Sequence, residues 1–178
     1  EFENNFANYN NVKYCVGVSN GTSALKIAYK SLQLDLNNTE IIVQANTYIA
    51  VPLVANELKL KMNIIDIDEN LLLDLNKLEL FLDENKENNK TYVLFLVHLY
   101  GFSVDMGKLM KLKNIYNFYL IEDTAQAHGS EFNGKKLGSY GEIGCFSYYP
   151  SKNLGAYGEG GSIITNYETY YNYALKYR

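Results

Sequence analysis

Two residues of opposite chemistry stand out in the stretch from Glu122 to Gly161, which reads EDTAQAHGSEFNGKKLGSYGEIGCFSYYPSKNLGAYGEGG. Asp123 follows the apolar run Phe118-Tyr119-Leu120-Ile121, so it is expected at the carboxyl end of a strand, where open α/β sheets bind ligands. Lys152 lies among Pro150, Gly155, Gly158, Gly160 and Gly161, a composition that constrains a loop and could hold an ammonium close to a ligand. Such a lysine can form a Schiff base with an aldehyde, and such a carboxylate can keep a pyridine nitrogen protonated. Pyridoxal phosphate chemistry requires both. Each residue alone has a plainer explanation: a strand-end acid often only caps a turn, and most lysines are solvated surface charges.

A third feature is Ser19-Asn20-Gly21-Thr22-Ser23, between an apolar strand and an amphipathic helix. Free N–H groups and the helix dipole favour a bound anion there, although the same residue types also make an ordinary N-cap. Tyr48, after Thr47, could stack on a flat ligand or serve as a core aromatic at a helix start. Cys15 and Cys145 lack CxxC spacing and read as small buried thiols. The two histidines, His98 and His128, complete neither a thiol nucleophile motif nor a zinc ligand spacing, and no role is assigned to them.

These residues need a scaffold, and the chain supplies one by alternating short apolar runs with segments of helical period, the pattern of an α/β domain. Strands are expected at 14–18, 41–44, 62–67, 92–97, 118–121, 144–148 and 162–165, several apolar throughout, as in parallel strands buried on both faces. Leu25, Ala28, Tyr29 and Leu32 recur at i, i+3, i+4 and i+7 and predict a helix over 22–33. Weaker helical patterns lie at 48–58, 74–83 and 105–116, with a last one in NYETYYNYALKYR. A hairpin is expected around Asn133-Gly134.

Composition narrows the function classes. With 47% hydrophobic and 20% charged residues over 178 positions, the chain can build one good-sized core. A net charge of −4 with scattered lysines argues against a nucleic-acid binder. No apolar run approaches the roughly 20 residues of a membrane span, and the first residues lack a secretory pattern, so the expectation is a cytoplasmic protein with no membrane partner.

Asp123-x-x-Gln126, Ser147 and Lys152 in FSYYPSKNLGAYGEGG resemble the DegT/DnrJ/EryC1/StrS family of nucleotide-sugar aminotransferases. The likeness continues through SNGTSAL at 19–25, NTYIA at 46–50, VHLYG at 97–101 and GKKLGSYGEIGCFS at 134–147, nearly the whole chain. It implies the large domain of a fold-type I pyridoxal 5′-phosphate enzyme, α/β with a mixed, mostly parallel sheet and helices on both faces. It further implies that Gly21, Thr22 and Ser147 hold the cofactor phosphate, Tyr48 covers the ring, Asp123 meets the pyridine nitrogen, Gln126 bonds the phenolic oxygen and Lys152 forms the Schiff base. The family's sugar dehydratases carry His where this chain has Lys152, which favours transamination. The expected reaction is amino transfer from an amino acid, L-glutamate, to a nucleotide-linked keto-deoxysugar, with a dTDP-3-keto-6-deoxyhexose preferred over a 4-keto sugar. The alternative from another class is a non-catalytic nucleotide-sugar or phosphate-binding module. Residues 1–178 are expected to form the larger domain of a longer homodimeric protein, its site completed by a smaller C-terminal domain and by the partner subunit.

Overall fold

A computed structural model describes residues 1–178. In chain order the elements are α1 (Phe2–Tyr9), β1 (Tyr14–Val18), α2 (Gly21–Ser31), β2 (Thr39–Gln44), α3 (Ala50–Glu57), β3 (Lys61–Ile65), α4 (Leu75–Glu84) and β4 (Thr91–Val97). A 3-10 turn (Leu99–Gly101) leads to α5 (Met106–Tyr116) and β5 (Tyr119–Asp123). A small hairpin of β6 (Glu131–Phe132) and β7 (Lys135–Lys136) precedes β8 (Ile143–Ser147), β9 (Gly161–Thr165) and α6 (Glu168–Tyr177).

Seven strands form one sheet in the order β1-β9-β8-β5-β4-β2-β3. Only β9 runs against the others, pairing antiparallel with β1 and β8, so the other strands bring their carboxyl ends to one edge. Apolar runs in the central strands become buried because both sheet faces are covered. In β4, Val93, Phe95 and Val97 join the core under α2 and α3, while Tyr92, Leu94 and Leu96 join the core under α4 and α5. The mixed α/β sheet with helices on both faces is therefore the observed architecture.

The Leu25, Ala28, Tyr29 and Leu32 stripe is buried against the sheet, as its spacing predicts. Asn20 caps α2 by accepting the Ser23 N–H at 2.8 Å, and Asp74 and Asp105 cap α4 and α5 in the same way. Most strand boundaries lie within one or two residues of the sequence expectation, and for two of the differences the structure shows the cause. The third strand ends at Ile65 rather than 67, because Asp66 and Asp68 turn the chain through side-chain bonds to Ile67 and Leu72. The fifth extends to Asp123, whose backbone carbonyl accepts the His98 N–H at 3.0 Å. An element without a sequence signal is α1, which docks Phe6 and Ala7 onto Cys15, Phe146, Tyr148 and Ile164.

Candidate active site

A cavity of about 500 Å³ opens at the carboxyl edge of the sheet. Gly21, Thr22, Tyr48, Asp123, Gln126, Ser147 and Lys152 all line it, so the fold gathers the seven residues that the resemblance assigns to the cofactor, while Cys15, His98 and His128 lie outside it. Asn20, Ala125, Cys145, Tyr149 and Glu159 add to the wall. Glu159 was not anticipated from the sequence. Its signal is its place between Gly158 and Gly160 in the Lys152 loop, which returns the chain to the same edge.

Alternation along β5 determines where its two acids go. Ile121 joins the α2 side of the core and Leu120 the α5 side, so Asp123 shares a face with Ile121 and meets the cavity. The Asp123 carboxylate is buried, and its Oδ1 accepts the Ala125 N–H at 3.0 Å. No salt bridge compensates it. Burial therefore raises its pKa, offset in part by the Ala125 N–H and by the charges of Lys152 and His98. A buried acid in this state lacks a cation.

The Lys152 loop joins antiparallel strands β8 and β9 and is closed by its own backbone. Tyr148 N–H donates to Gly160 O at 2.8 Å, Ala156 N–H to Tyr148 O at 2.7 Å and Lys152 N–H to Tyr149 O at 2.8 Å. Gly155 is required here, since a Cβ would come within 2.5 Å of Pro150 O. The loop is also tied to the anion seat: a Cβ on Gly161 would lie 2.6 Å from the Asn20 carbonyl. Lys152 is half-buried and has no ion-pair partner.

Also at this cavity, the first N–H groups of α2 have no intrahelical acceptor. A Cβ on Gly21 would meet Ser147 Cβ at 2.8 Å and its Oγ at 3.2 Å, so glycine lets the helix end approach the serine hydroxyl. Gln126 Oε1 accepts the Tyr100 N–H at 3.0 Å, which leaves the amide nitrogen without a protein acceptor. Tyr48 is 67% exposed and precedes α3, which removes the core-aromatic alternative.

A phosphorylated pyridine aldehyde fits this arrangement: helix N–H groups beside a serine hydroxyl, a buried carboxylate without an ion pair at the sheet edge, and a lysine without an ion pair on the adjoining loop. Other chemistry is disfavoured. Burial, reinforced by Asp123 and Glu122, pushes the Cys145 thiol well above its ordinary range, and burial pushes Cys15 up to about 12. His128 packs against Phe146 and Tyr148, with ring centroids 5.3 and 5.8 Å apart, and burial lowers its pKa. His98 is fully buried and bonds Glu122 rather than lining the cavity. No helix is long and apolar enough to cross a membrane.

The DegT/DnrJ/EryC1/StrS aminotransferase family model matches residues 1–178. The chain is 42% identical over 166 residues to dTDP-3-amino-3,6-dideoxy-alpha-D-galactopyranose transaminase of Aneurinibacillus thermoaerophilus, covering 93% of this chain and 44% of that protein. It is 36% identical over 179 residues to GDP-perosamine synthase of Escherichia coli O157:H7, covering 100% of this chain and 47% of that protein. Among solved structures, GDP-4-keto-6-deoxymannose-3-dehydratase with a trapped PLP-glutamate geminal diamine superposes with a TM-score of 0.85 at 28% identity, over 98% of this chain and 45% of that one. The chain thus spans less than half the length of these relatives. Because the family match runs from the first residue to the last and takes in both the Asp123 strand end and the Lys152 loop, the chain belongs to the DegT/DnrJ/EryC1/StrS aminotransferase family.

Proposed function

We propose that this chain is the cofactor-binding domain of a pyridoxal phosphate-dependent aminotransferase acting on a nucleotide-linked keto-deoxysugar. The observation that carries the reading is the meeting of an uncompensated buried carboxylate, Asp123, and an unpaired lysine, Lys152, in one cavity at the open end of α2. Bound pyridoxal phosphate supplies a conjugated cation that accepts the electron pair released at a substrate carbon. The N–H groups of Gly21 and Thr22 and the Ser147 hydroxyl would hold the phosphate. Asp123 would keep the ring nitrogen charged, and Tyr48 would cover a ring face. Lys152 would bind the aldehyde carbon covalently, and as a free amine its Nζ can hold and move a proton at the donor carbon.

L-Glutamate is the proposed amino donor, in keeping with the glutamate trapped with PLP in the dehydratase structure. A dTDP-linked 3-keto-6-deoxyhexose is the proposed acceptor, supported by the 42% identity to the Aneurinibacillus enzyme. A 4-keto sugar is the second reading, favoured by the likeness to a dehydratase named for a GDP-4-keto sugar. In the first reading the chain is the larger domain of a longer, homodimeric, cytoplasmic protein. Leu154 and Tyr157, exposed on the Lys152 loop, suit burial by a partner or a further domain.

The test is to add pyridoxal phosphate to the protein and to Lys152→Ala, reduce with borohydride and map peptides by mass. A cofactor-sized adduct on Lys152, absent from the variant, is expected, with amino transfer lowered at least about 1,000-fold in the variant. A folded full-length protein that forms no adduct would refute the reading and leave a phosphate-binding module in its place. Turnover with matched 3-keto and 4-keto sugars decides the acceptor, the 3-keto sugar being preferred by about tenfold or more in kcat/KM.

A further inference from the structure

His98, in the VHLYG segment, is fully buried, and its Nε2–H donates to Glu122 Oε2 at 2.9 Å. Glu122 is buried too, and its oxygens also accept N–H groups from Gly138 at 2.8 Å and from Tyr140 and Gly141 at 2.7 Å each. With both oxygens doubly engaged, the carboxylate is a fixed anchor for the imidazole. The backbone of the same histidine is held as well: its N–H donates to Asp123 O at 3.0 Å, and its carbonyl accepts the Gly101 N–H at 3.2 Å.

The turn beyond His98 is strained. Tyr100 has φ 54° and ψ 21°, in the left-handed region a tyrosine rarely occupies, and Gly101 has φ 83°. A Cβ on Gly101 would meet Ser130 Oγ at 2.9 Å. Such a conformation persists only where the surroundings over-determine it, and it clusters at functional positions. Its result is that the Tyr100 N–H meets Gln126 Oε1 at 3.0 Å. A backbone N–H can only donate, so the amide must present its oxygen to the turn and keep its nitrogen for the cavity that Gln126 lines.

We propose that His98 is a positioning residue: anchored on Glu122, it holds the turn at 98–101 so that Tyr100 N–H captures Gln126 Oε1 and fixes the Gln126 amide nitrogen as a hydrogen-bond donor to the bound ligand. The inference rests on the cofactor reading for the ligand's identity, but the clamp itself exists without the cofactor. A donor fixed towards the anionic phenolic oxygen of pyridoxal phosphate withdraws charge from it. With the cofactor bound, that oxygen would hold a proton on the Lys152 nitrogen less firmly, and the proton would leave at lower pH.

Two readouts test this in the full-length protein. The first is hydrogen exchange at the Tyr100 amide without cofactor, slow in wild type and in His98→Gln, which keeps a donor for Glu122, and fast in Gln126→Ala and His98→Ala. The second is the pH midpoint of the Lys152-bound cofactor's visible band. Gln126→Ala should raise it by about one unit, His98→Ala should raise it in the same direction, and His98→Gln should restore it. The double variant should move no further than Gln126→Ala alone, since both changes remove one interaction. Asp123, Lys152 and Glu159, the charged groups lining the cavity, are kept in every variant; because His98 also acts on Asp123 electrostatically, His98→Gln, which loses the imidazole but keeps a donor for Glu122, separates the clamp from that field effect.

A merely structural histidine would lower thermal stability and leave the midpoint at its wild-type value, which would overturn the proposal. So would shifts that add in the double variant, or a Tyr100 amide indifferent to His98. Should His98→Ala not fold, Gly101→Ala disturbs the turn from its other end, with the same expected rise. If wild type develops no visible band, the cofactor reading fails, while exchange at Tyr100 still decides the clamp.

Discussion

Glu122 and Asp123 are consecutive carboxylates at the end of β5, and the fold treats them oppositely. Glu122 faces the α4 and α5 side, where three backbone N–H groups and the His98 imidazole surround it. Asp123 faces the α2 side with one backbone donor and no ion pair. Both are buried, so both lose hydration; only Glu122 recovers it from the protein. An acid satisfied by its own chain is a structural clip, here drawing residues 138–141 across the sheet. An acid left wanting a cation at a cavity is held ready for a ligand. Burial alone would have assigned the two the same role.

The largest effect expected from this contrast is catalytic. On the proposed reading, Asp123→Asn should keep the fold and lower amino transfer by at least about 100-fold, since it would remove the charge proposed to face the ring nitrogen. Steady-state rates with saturating cofactor check it, and a loss of only a few fold would make Asp123 a second structural acid. Glu122→Ala should show the converse. Removing the acceptor of four hydrogen bonds strands three backbone N–H groups and an imidazole in the interior, for a loss of about 3 kcal/mol or more. Urea unfolding measures that loss, and an unchanged midpoint would dissolve the distinction between the two residues.

How much of this the sequence discloses depends on the range of the interactions. Local signals were legible: the α2 stripe, the apolar strands, and the Asn133-Gly134 turn, observed at φ 50° and 76° between β6 and β7. The candidate site was legible where motifs carried it, because Asp123 follows an apolar strand and Lys152 sits in a glycine-rich loop. The Glu122 clip was not, since its partners lie 16 to 24 residues away and meet it only once β4, β5 and the 138–141 segment are assembled. Nor was the Tyr100 conformation, a left-handed tyrosine that no local propensity favours. The α1 helix escaped for a related reason: its docking surface is assembled from Cys15, Phe146, Tyr148 and Ile164, on three different strands or their ends.

The smallest effect is on stability, and its sign sharpens the comparison most. Burial raises the Asp123 pKa in the folded protein above its unfolded value, so ionising it opposes folding. The penalty is fully present above the folded pKa, shrinks as pH falls through that pKa, and is absent below the unfolded one. Without cofactor, Asp123→Asn should therefore stabilise the protein at neutral pH, and the gain should vanish in acid, where the wild-type carboxyl is itself neutral. Thermal unfolding of both proteins across pH checks the slope. On the proposed reading, bound pyridoxal phosphate should reverse the order, because its ring cation would supply the wild-type acid with the partner the chain withholds. If the variant were instead less stable at neutral pH and the deficit closed in acid, Asp123 would be compensated within the protein, as Glu122 is, and the contrast between the two neighbours would fail.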